Sequence, residues 1–103
     1  MAEPEYDTGG VRIRRMMRSL TRAGHVQVRD GQLVLMTSYG SEIDSAPVEK
    51  VRISGYGMQD SALATLGGTR YVLRFGLGRR AGLLSAVRTA RAKAAAERGV
   101  LGA

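Results

Sequence analysis

The sequence predicts an α+β domain in which a bent antiparallel sheet or small β-barrel of about six or seven strands lies between two helices. Apolar residues recur with helical spacing near both ends of the chain and alternate with polar residues in between. Glycine-containing turns join the strand-like segments, and no helix separates them, which argues against a parallel sheet. We therefore expect an N-terminal basic helix over 11–24, antiparallel strands over 25–76 and a C-terminal capping helix over 81–98.

Length and composition indicate one globular domain. The 103 residues are 44% hydrophobic and 24% charged, which is ordinary for a folded protein. We expect residues 1–10 to form a flexible leader that ends in Gly9-Gly10, and residues 11–103 to form a single domain. The chain has no cysteine, no secretion signal and no apolar run near the ~20 residues that span a bilayer. These features predict a cytoplasmic protein.

The net charge of +7 is unevenly distributed. Residues 1–10 carry −3, residues 11–29 carry +6, residues 30–69 carry −3 and residues 70–103 carry +7. Both basic regions are rich in arginine, and the first contains no acid. The charge is therefore expected to form patches that attract an acidic partner.

The segment 11–24 has a helical pattern. Its apolar residues fall within about one third of a helical wheel: Ile13, Met16, Met17, Leu20 and Ala23. Its arginines cover the rest: Arg12, Arg14, Arg15, Arg18 and Arg22. Gly24 is placed to end the helix as its C′ residue. Such an arginine surface suits a phosphate-bearing or acidic partner, and the alternative is a solvated outer face of a helix packed on the sheet.

After Gly24 the spacing of apolar residues changes to two. The predicted strands are His25–Arg29, Leu33–Thr37, around Glu42–Ser45, Val51–Ser54, Ala62–Leu66 and Thr69–Phe75. Asp30-Gly31 is a strong hairpin signal, and Gly67-Gly68 forms another turn. Pro47 indicates an edge strand or a bend, because it cannot donate to a central ladder.

The motif Gly76-x-Gly78-x-x-Ala81 between a strand and a helix is similar to a dinucleotide-binding fingerprint. That fold needs a further parallel strand, and only Gly99–Ala103 follows the predicted helix, so we interpret the motif as a structural turn. A smaller role remains open. Arg79 and Arg80, beside the first backbone amides of the helix, could bind an anion or simply be solvated.

Catalytic chemistry has little support in the sequence. His25 is the only histidine and starts a predicted strand, where a surface role is more common than a catalytic one. The acids match neither a calcium loop nor a paired-carboxylate arrangement, and no serine lies in a nucleophile elbow. We predict that the protein is not an enzyme and has no catalytic residue, metal site or cofactor.

Residues 25–96 resemble the small bacterial pleckstrin-homology-like or GRAM-like domains. The resemblance is carried by Gly31–Thr37, by Gly40 and Ile43, by Pro47-Val48 leading to Val51 and Ile53, by Gly68–Phe75, and by Leu83–Ala94. It implies a strongly bent barrel, usually of seven strands, closed at one end by a C-terminal helix. It also implies binding: of phosphoinositides in some members, and of peptides or neighbouring subunits in many bacterial ones. No basic inositol-phosphate signature lies at Arg29-Asp30-Gly31, which this resemblance places between the first two strands.

A second, shorter resemblance is to a winged helix. Arg14–Gly24, followed by a strand, Asp30-Gly31 and Leu33–Thr37, looks like a recognition helix and its wing. That fold needs two helices before the recognition helix, whereas only ten leader residues precede the predicted helix.

The sequence therefore predicts a non-enzymatic binding or scaffolding module, a protein-interaction subunit that engages an acidic surface. The expected partner is an acidic protein or a second copy of the chain, and an anionic lipid surface is a further option. The alternative is a nucleic-acid-binding protein that uses the N-terminal helix. The candidate binding residues are Arg14, Arg15, Arg18, Arg22, Arg79 and Arg80.

Overall fold

The protein is described by a computed structural model that covers residues 6–15, 18–57, 60–76 and 79–102, with side chains as far as Glu97. Within these residues the chain forms a seven-stranded sheet followed by one helix. The strands are β1 (Tyr6–Arg15), β2 (Arg18–Arg29), β3 (Gln32–Met36), β4 (Glu42–Pro47), β5 (Val51–Gly55), β6 (Ser61–Leu66) and β7 (Thr69–Arg74). A 3₁₀ turn, Val48–Lys50, joins β4 to β5, and helix α1 spans Arg79–Gly102.

The sheet is antiparallel throughout and has the order β4-β3-β2-β1-β7-β6-β5. The bend brings together strands that are far apart in the sheet order. The Tyr71 hydroxyl on β7 donates a hydrogen bond to Asp44 Oδ2 on the edge strand β4 at 2.7 Å. The two edge strands are also consecutive in the chain, joined by the 3₁₀ turn. The predicted bent antiparallel sheet with a C-terminal helix is confirmed.

The core lies inside the bend and is completed by α1. Inward-facing residues alternate with outward-facing ones along most of the sheet, and the fully buried ones include Ile13, Leu33 and Leu73. Helix α1 contributes Leu83, which is also fully buried, and Val87, which is 4% exposed. Burying one such side chain contributes roughly 1.5–3 kcal/mol, so the docked helix is a large part of the stability of this small domain.

Three arginines attach α1 to the rest of the domain. The Arg79 guanidinium donates to the Gly9 carbonyl at 3.1 Å, and the Arg80 guanidinium donates to the Ser61 carbonyl at 3.0 Å. Further along the helix, Arg91 Nε donates to the Val48 carbonyl in the 3₁₀ turn at 2.9 Å. These bonds satisfy carbonyl groups and set the position of the helix over the open side of the bend.

The prediction of a basic N-terminal helix over 11–24 is wrong. In the described residues this segment is the end of β1 and the first part of β2, which pair as a hairpin. Val11 and Ile13 are buried while Arg12 and Arg14 are exposed, so every second residue in this part of β1 faces the core. Register shifts then insert extra residues into β2, and these bulges break the alternation so that the apolar positions imitate a helix. Met16 and Met17, which were assigned to the apolar stripe, lie outside the described residues.

Gly24 does not end a helix; it pairs with Val11 inside the sheet. A Cβ atom at this position would lie 2.6 Å from Thr21 Cγ2 and would also collide with the Met36 carbonyl oxygen. The glycine is therefore required by close packing beside a bulge and not by helix capping. Residues 6–10, assigned to the leader, belong to β1, and residues 1–5 of the leader lie outside the described residues.

The turns in the rest of the sheet lie where the sequence predicted them. Asp30 and Gly31 both have positive φ, at 51° and 74°, as a two-residue hairpin turn requires. Gly67 and Gly68 form the same kind of turn between β6 and β7, and Pro47 lies on the edge strand β4. Helix α1 is longer than predicted. Because β1 was not predicted, Asp30-Gly31 joins the second and third strands of the sheet, β2 and β3. The resemblance to a winged helix fails because its recognition helix, Arg14–Gly24, lies in β1 and β2 in the described residues.

Candidate functional site

The outer side of β1, β7, β6 and β5 forms a basic surface, which we call the arginine face. Its arginines are Arg12, Arg14, Arg52, Arg70 and Arg74. Each is exposed and alternates with a residue that faces the core, so the alternation that buries the core also turns these side chains outward. In the described parts of these strands, no aspartate or glutamate occupies an outward position between these arginines.

Strand register gathers three of these arginines around one cavity. Arg12 of β1 lies directly opposite Arg74 of β7, and Ser61 of β6 lies on the other side of Arg74. Arg14 faces Val72 in the next outward row of the same pair. They surround a shallow depression of about 230 Å³, which we call the arginine cavity. Its lining is Arg12, Arg14, Tyr56, Gly57, Ser61, Val72 and Arg74.

Hydrogen bonds fix the wall of the arginine cavity on the β6 side. The Ser61 carbonyl accepts the Tyr56 amide at 3.1 Å and the Arg80 guanidinium at 3.0 Å. Gly57, the next residue of the wall, has a positive φ of 58° that favours glycine. Arg80 thus helps to hold this wall in place through its hydrogen bond to the Ser61 carbonyl.

The arginine cavity concentrates like charges that nothing in the described chain neutralises. Like charges directly opposite on neighbouring strands destabilise a sheet by roughly 0.2–1 kcal/mol, and Arg12 and Arg74 are such a pair. Among the described residues, no carboxylate forms an ion pair with Arg12, Arg14 or Arg74. An anion in the cavity would remove this repulsion.

Other concavities of the described surface contain both signs of charge. The groove between α1 and the β2–β3 turn includes Lys93 and Glu97 within about 280 Å³. The wider groove between α1 and β5, about 620 Å³, includes Glu49 beside basic residues. The depression between the start of β1 and α1 includes Asp7 and Arg79. The arginine cavity differs from these because all of its charged side chains are positive, so it is the better anion site.

The structure separates the arginines that the sequence grouped on one helical surface. Arg14 lines the arginine cavity, whereas Arg15 approaches the buried Tyr71 on the other side of the sheet. Arg18 is exposed at the start of β2, opposite Arg15 at the end of β1, and Arg22 is exposed further along β2. Their shared helical face does not exist. Whether each of them binds a partner stays a prediction.

Arg79 and Arg80 have a structural role at the start of α1. Both guanidiniums donate to backbone carbonyls of the sheet, as described above. The Arg79 carbonyl in turn accepts the Tyr6 hydroxyl at 3.4 Å. Their anion-binding role also stays a prediction.

Arg12 and Arg74 are the cavity arginines that were not among the candidate binding residues. The alternation Val11-Arg12-Ile13-Arg14 and the sequence Leu73-Arg74-Phe75 contain the signal that these side chains face outward. Their meeting depends on the pairing of β1 with β7, about sixty residues apart in the chain, and local spacing carries no information on that pairing.

A second polar cluster lies on the inner side, where Tyr71 meets Asp44. Asp44 Oδ2 accepts the Tyr71 hydroxyl at 2.7 Å, and Oδ1 accepts the Ser45 amide at 2.8 Å. Burial, and then the hydrogen bond and charge of Asp44, raise the pKa of Tyr71 to about 12, while Arg15 acts in the opposite direction. This cluster holds two distant strands together.

The described residues contain no group of histidine, cysteine, aspartate and glutamate side chains that could hold a metal ion. No helix in the same residues is long and apolar enough to cross a membrane.

No protein-family model matches the sequence, and no curated protein matches it. The fold, however, is similar to a solved structure, the tandem PX-PH domains of Bem3 from Saccharomyces cerevisiae. The likeness covers 84% of this chain and 43% of that chain, with a TM-score of 0.65 and 20% sequence identity. The fold is pleckstrin-homology-like. The resemblance predicted from the sequence is thereby confirmed at the level of fold.

The likeness to the Bem3 structure shows the fold of this domain. The chain spans less than half the length of the Bem3 structure, and the sequence identity supports the fold alone. Because one fold hosts many functions, the partner of this PH-like domain has to be argued from its own surface chemistry. The arginine face is the feature of that surface with the most specific chemistry.

Proposed function

We propose that this PH-like domain is a non-enzymatic scaffolding module that binds an acidic surface of a protein partner on its arginine face. The observation that carries the proposal is the set of five arginines on one side of four strands, with no acid between them in the described chain. Guanidinium groups are planar, always charged and able to bind carboxylates through two parallel hydrogen bonds. A rigid sheet holds them in place, which limits the entropy lost on binding.

The other predicted arginines are proposed to assist from the margin of this surface. Arg15, Arg18 and Arg22 lie on the β1–β2 hairpin, and Arg79 and Arg80 lie at the start of α1. Peripheral charges mainly accelerate association and make it sensitive to salt. A second copy of the chain is the alternative protein partner, because the outer side of the sheet also carries acids, Asp7 near the start of β1 and Glu42 on β4. The absence of cysteine fits a cytoplasmic location for the module.

Two matched triple variants test the surface. R12Q/R14Q/R74Q removes three positive charges from the arginine cavity, and R29Q/R88Q/K93Q removes three exposed charges elsewhere. Binding to poly-L-glutamate is measured by fluorescence anisotropy at two salt concentrations. The cavity variant is expected to lose about tenfold or more in affinity, because charged hydrogen bonds are lost, and the control about threefold or less. Equal losses would show that net charge alone drives binding and would contradict the proposal.

Other polyanions test the class of partner. Duplex DNA and phosphatidylserine vesicles are titrated under the same conditions. A nucleic-acid site loses affinity with salt at a slope of about −0.9 per phosphate neutralised. Tighter binding of DNA or vesicles than of poly-L-glutamate, lost in the cavity variant, would replace the protein partner with that ligand. Sedimentation of wild type and the cavity variant tests the second copy, since only a self-partner predicts an oligomer that the variant loses.

A further inference from the structure

We propose that the arginine cavity binds one phosphate monoester, carried by a phosphorylated side chain of the protein partner. This inference rests on the proposed function and specifies the acidic group that the arginine face receives. It follows from three features of the cavity: the number of its arginines and the strands that carry them, its charge and its size.

The donors surround the cavity from two strands. Arg12 and Arg14 approach from β1, and Arg74 approaches from β7 at the position opposite Arg12. A phosphate monoester presents three terminal oxygens in a tetrahedral arrangement, and each can accept several hydrogen bonds. A carboxylate presents two oxygens in one plane and is satisfied by one guanidinium fork. Three guanidiniums around one depression therefore match a phosphate monoester better than a carboxylate.

Charge distinguishes a phosphate monoester from a diester. The arginine cavity has three positive side chains in its lining, and Arg80 lies behind the Ser61 carbonyl. A monoester carries −1.5 to −2 charges at pH 7 and neutralises more of this charge than a diester with a single one. Because Arg12 and Arg74 repel each other when the cavity is empty, binding of the dianion also relieves their repulsion.

The size of the arginine cavity fits one charged group. Its volume of about 230 Å³ lies below the roughly 300–1,000 Å³ of sites that enclose a whole small molecule. The cavity is open to solvent, with Tyr56 at its margin 50% exposed. The group that carries the phosphate would therefore lie outside the cavity, along the remaining arginine face, where Arg52 and Arg70 share one outward row with Thr65.

The test uses small anions and the full chain. Arginine Nε–Hε signals of ¹⁵N-labelled protein are recorded during titration with O-phospho-L-serine, inorganic phosphate, dimethyl phosphate or glutamate at constant ionic strength. We expect saturable shifts of the Arg12, Arg14 and Arg74 signals. We also expect affinity for the two monoester-type anions about tenfold or more above that for glutamate or dimethyl phosphate. Shifts that do not saturate, or equal affinity for all four anions, would overturn the inference.

A matched pair of variants locates the site. Arg74 and Arg70 are both exposed on the outer side of β7, but only Arg74 lines the arginine cavity. R74Q is expected to weaken phosphoserine binding about tenfold or more, and R70Q about twofold or less, with both variants folded by the same spectra. R74K keeps the charge without the planar fork, so an intermediate loss is expected. Equal losses in R74Q and R70Q would contradict a defined cavity.

The outcomes separate this inference from the proposed function. If poly-L-glutamate binding depends on the cavity arginines but phosphoserine has no advantage over glutamate, the inference fails and the proposed function stands. If neither polymer nor monoester binds at low salt, both fail.

Discussion

The hydrogen bond between Tyr71 and Asp44 predicts a specific loss of stability in Tyr71→Phe. Tyr71 is 3% exposed, and its hydroxyl donates to Asp44 Oδ2 at 2.7 Å. Hydrogen bonds to charged groups contribute about 1.5–3 kcal/mol. Asp44 is only partly buried and keeps the Ser45 amide at Oδ1, so water can replace part of the lost interaction. The expected loss at pH 8 is therefore about 1–2 kcal/mol.

The same contact predicts how the difference changes with pH. The pKa of Tyr71 is raised in the folded state, to about 12, above the usual value of 10.0. The contribution of the neutral hydroxyl is complete below pH 10 and is lost as pH rises toward 12, because the unfolded chain releases the proton first. About two pKa units set an upper limit of about 3 kcal/mol for this loss. Tyr71→Phe lacks this hydroxyl. The difference in unfolding free energy between wild type and the variant must therefore change between pH 10 and pH 12.

Denaturation by guanidinium chloride, followed by circular dichroism at pH 8, 10, 11 and 12, measures both effects. Wild type should be more stable than Tyr71→Phe at pH 8, and the difference should shrink or reverse at pH 12. The other tyrosines are common to both proteins, so their effects cancel in the comparison. A difference that stays constant from pH 8 to pH 12, or no loss at pH 8, would refute the reasoning about this contact.

Two further predictions concern the packing of the sheet and the helix. Gly24→Ala should destabilise the protein by about 1–3 kcal/mol, because its Cβ would meet Thr21 Cγ2 at 2.6 Å. Gly82→Ala in α1, where the new Cβ would have only ordinary contacts from 3.4 Å outward, should stabilise the protein by about 0.5–1 kcal/mol. Urea denaturation measures both variants, and a change in unfolding free energy of the same sign in both would contradict this account. Leu83→Ala should destabilise the protein by about 2–5 kcal/mol, because Leu83 of α1 is fully buried in the core. Leu84 is partly exposed, so Leu84→Ala should cost clearly less. Equal costs in thermal unfolding would mean that α1 is not docked through Leu83.

The elements predicted well are those specified by short-range signals. The hairpin turns at Asp30-Gly31 and Gly67-Gly68 need positive φ, which Gly and Asp supply, so the sequence points directly to them. The strand Thr69–Arg74 alternates without interruption, and the stripe with Leu83 and Val87 defines the buried side of α1. In these segments local propensity and tertiary structure agree.

The N-terminal region was mispredicted because its strands contain bulges. The shifts between Val11 and Ile13, and between Ile13 and Arg14, displace the pattern in β2, so the apolar residues fit a helical wheel better than an alternating template. The sequence does contain an alternating pattern at Val11 and Ile13, but this pattern covers too few residues to outweigh the helical one. The arginine cavity could not be predicted for a related reason: it depends on Arg12 meeting Arg74, which only the long-range pairing of β1 with β7 provides.

The central claim is that Arg12, Arg14 and Arg74 repel one another in the unliganded protein and are held together for a bound phosphate group. Unfolding free energies of wild type, R74Q and R70Q, measured in chloride and in phosphate at equal ionic strength, test it most directly. In chloride, R74Q should be as stable as wild type or up to about 1 kcal/mol more stable, because one repulsive contact is removed. In phosphate, wild type and R70Q should gain stability by mass action while R74Q gains little. If R74Q is destabilised in chloride and gains as much from phosphate as wild type does, the arginines are structural and the claim is wrong.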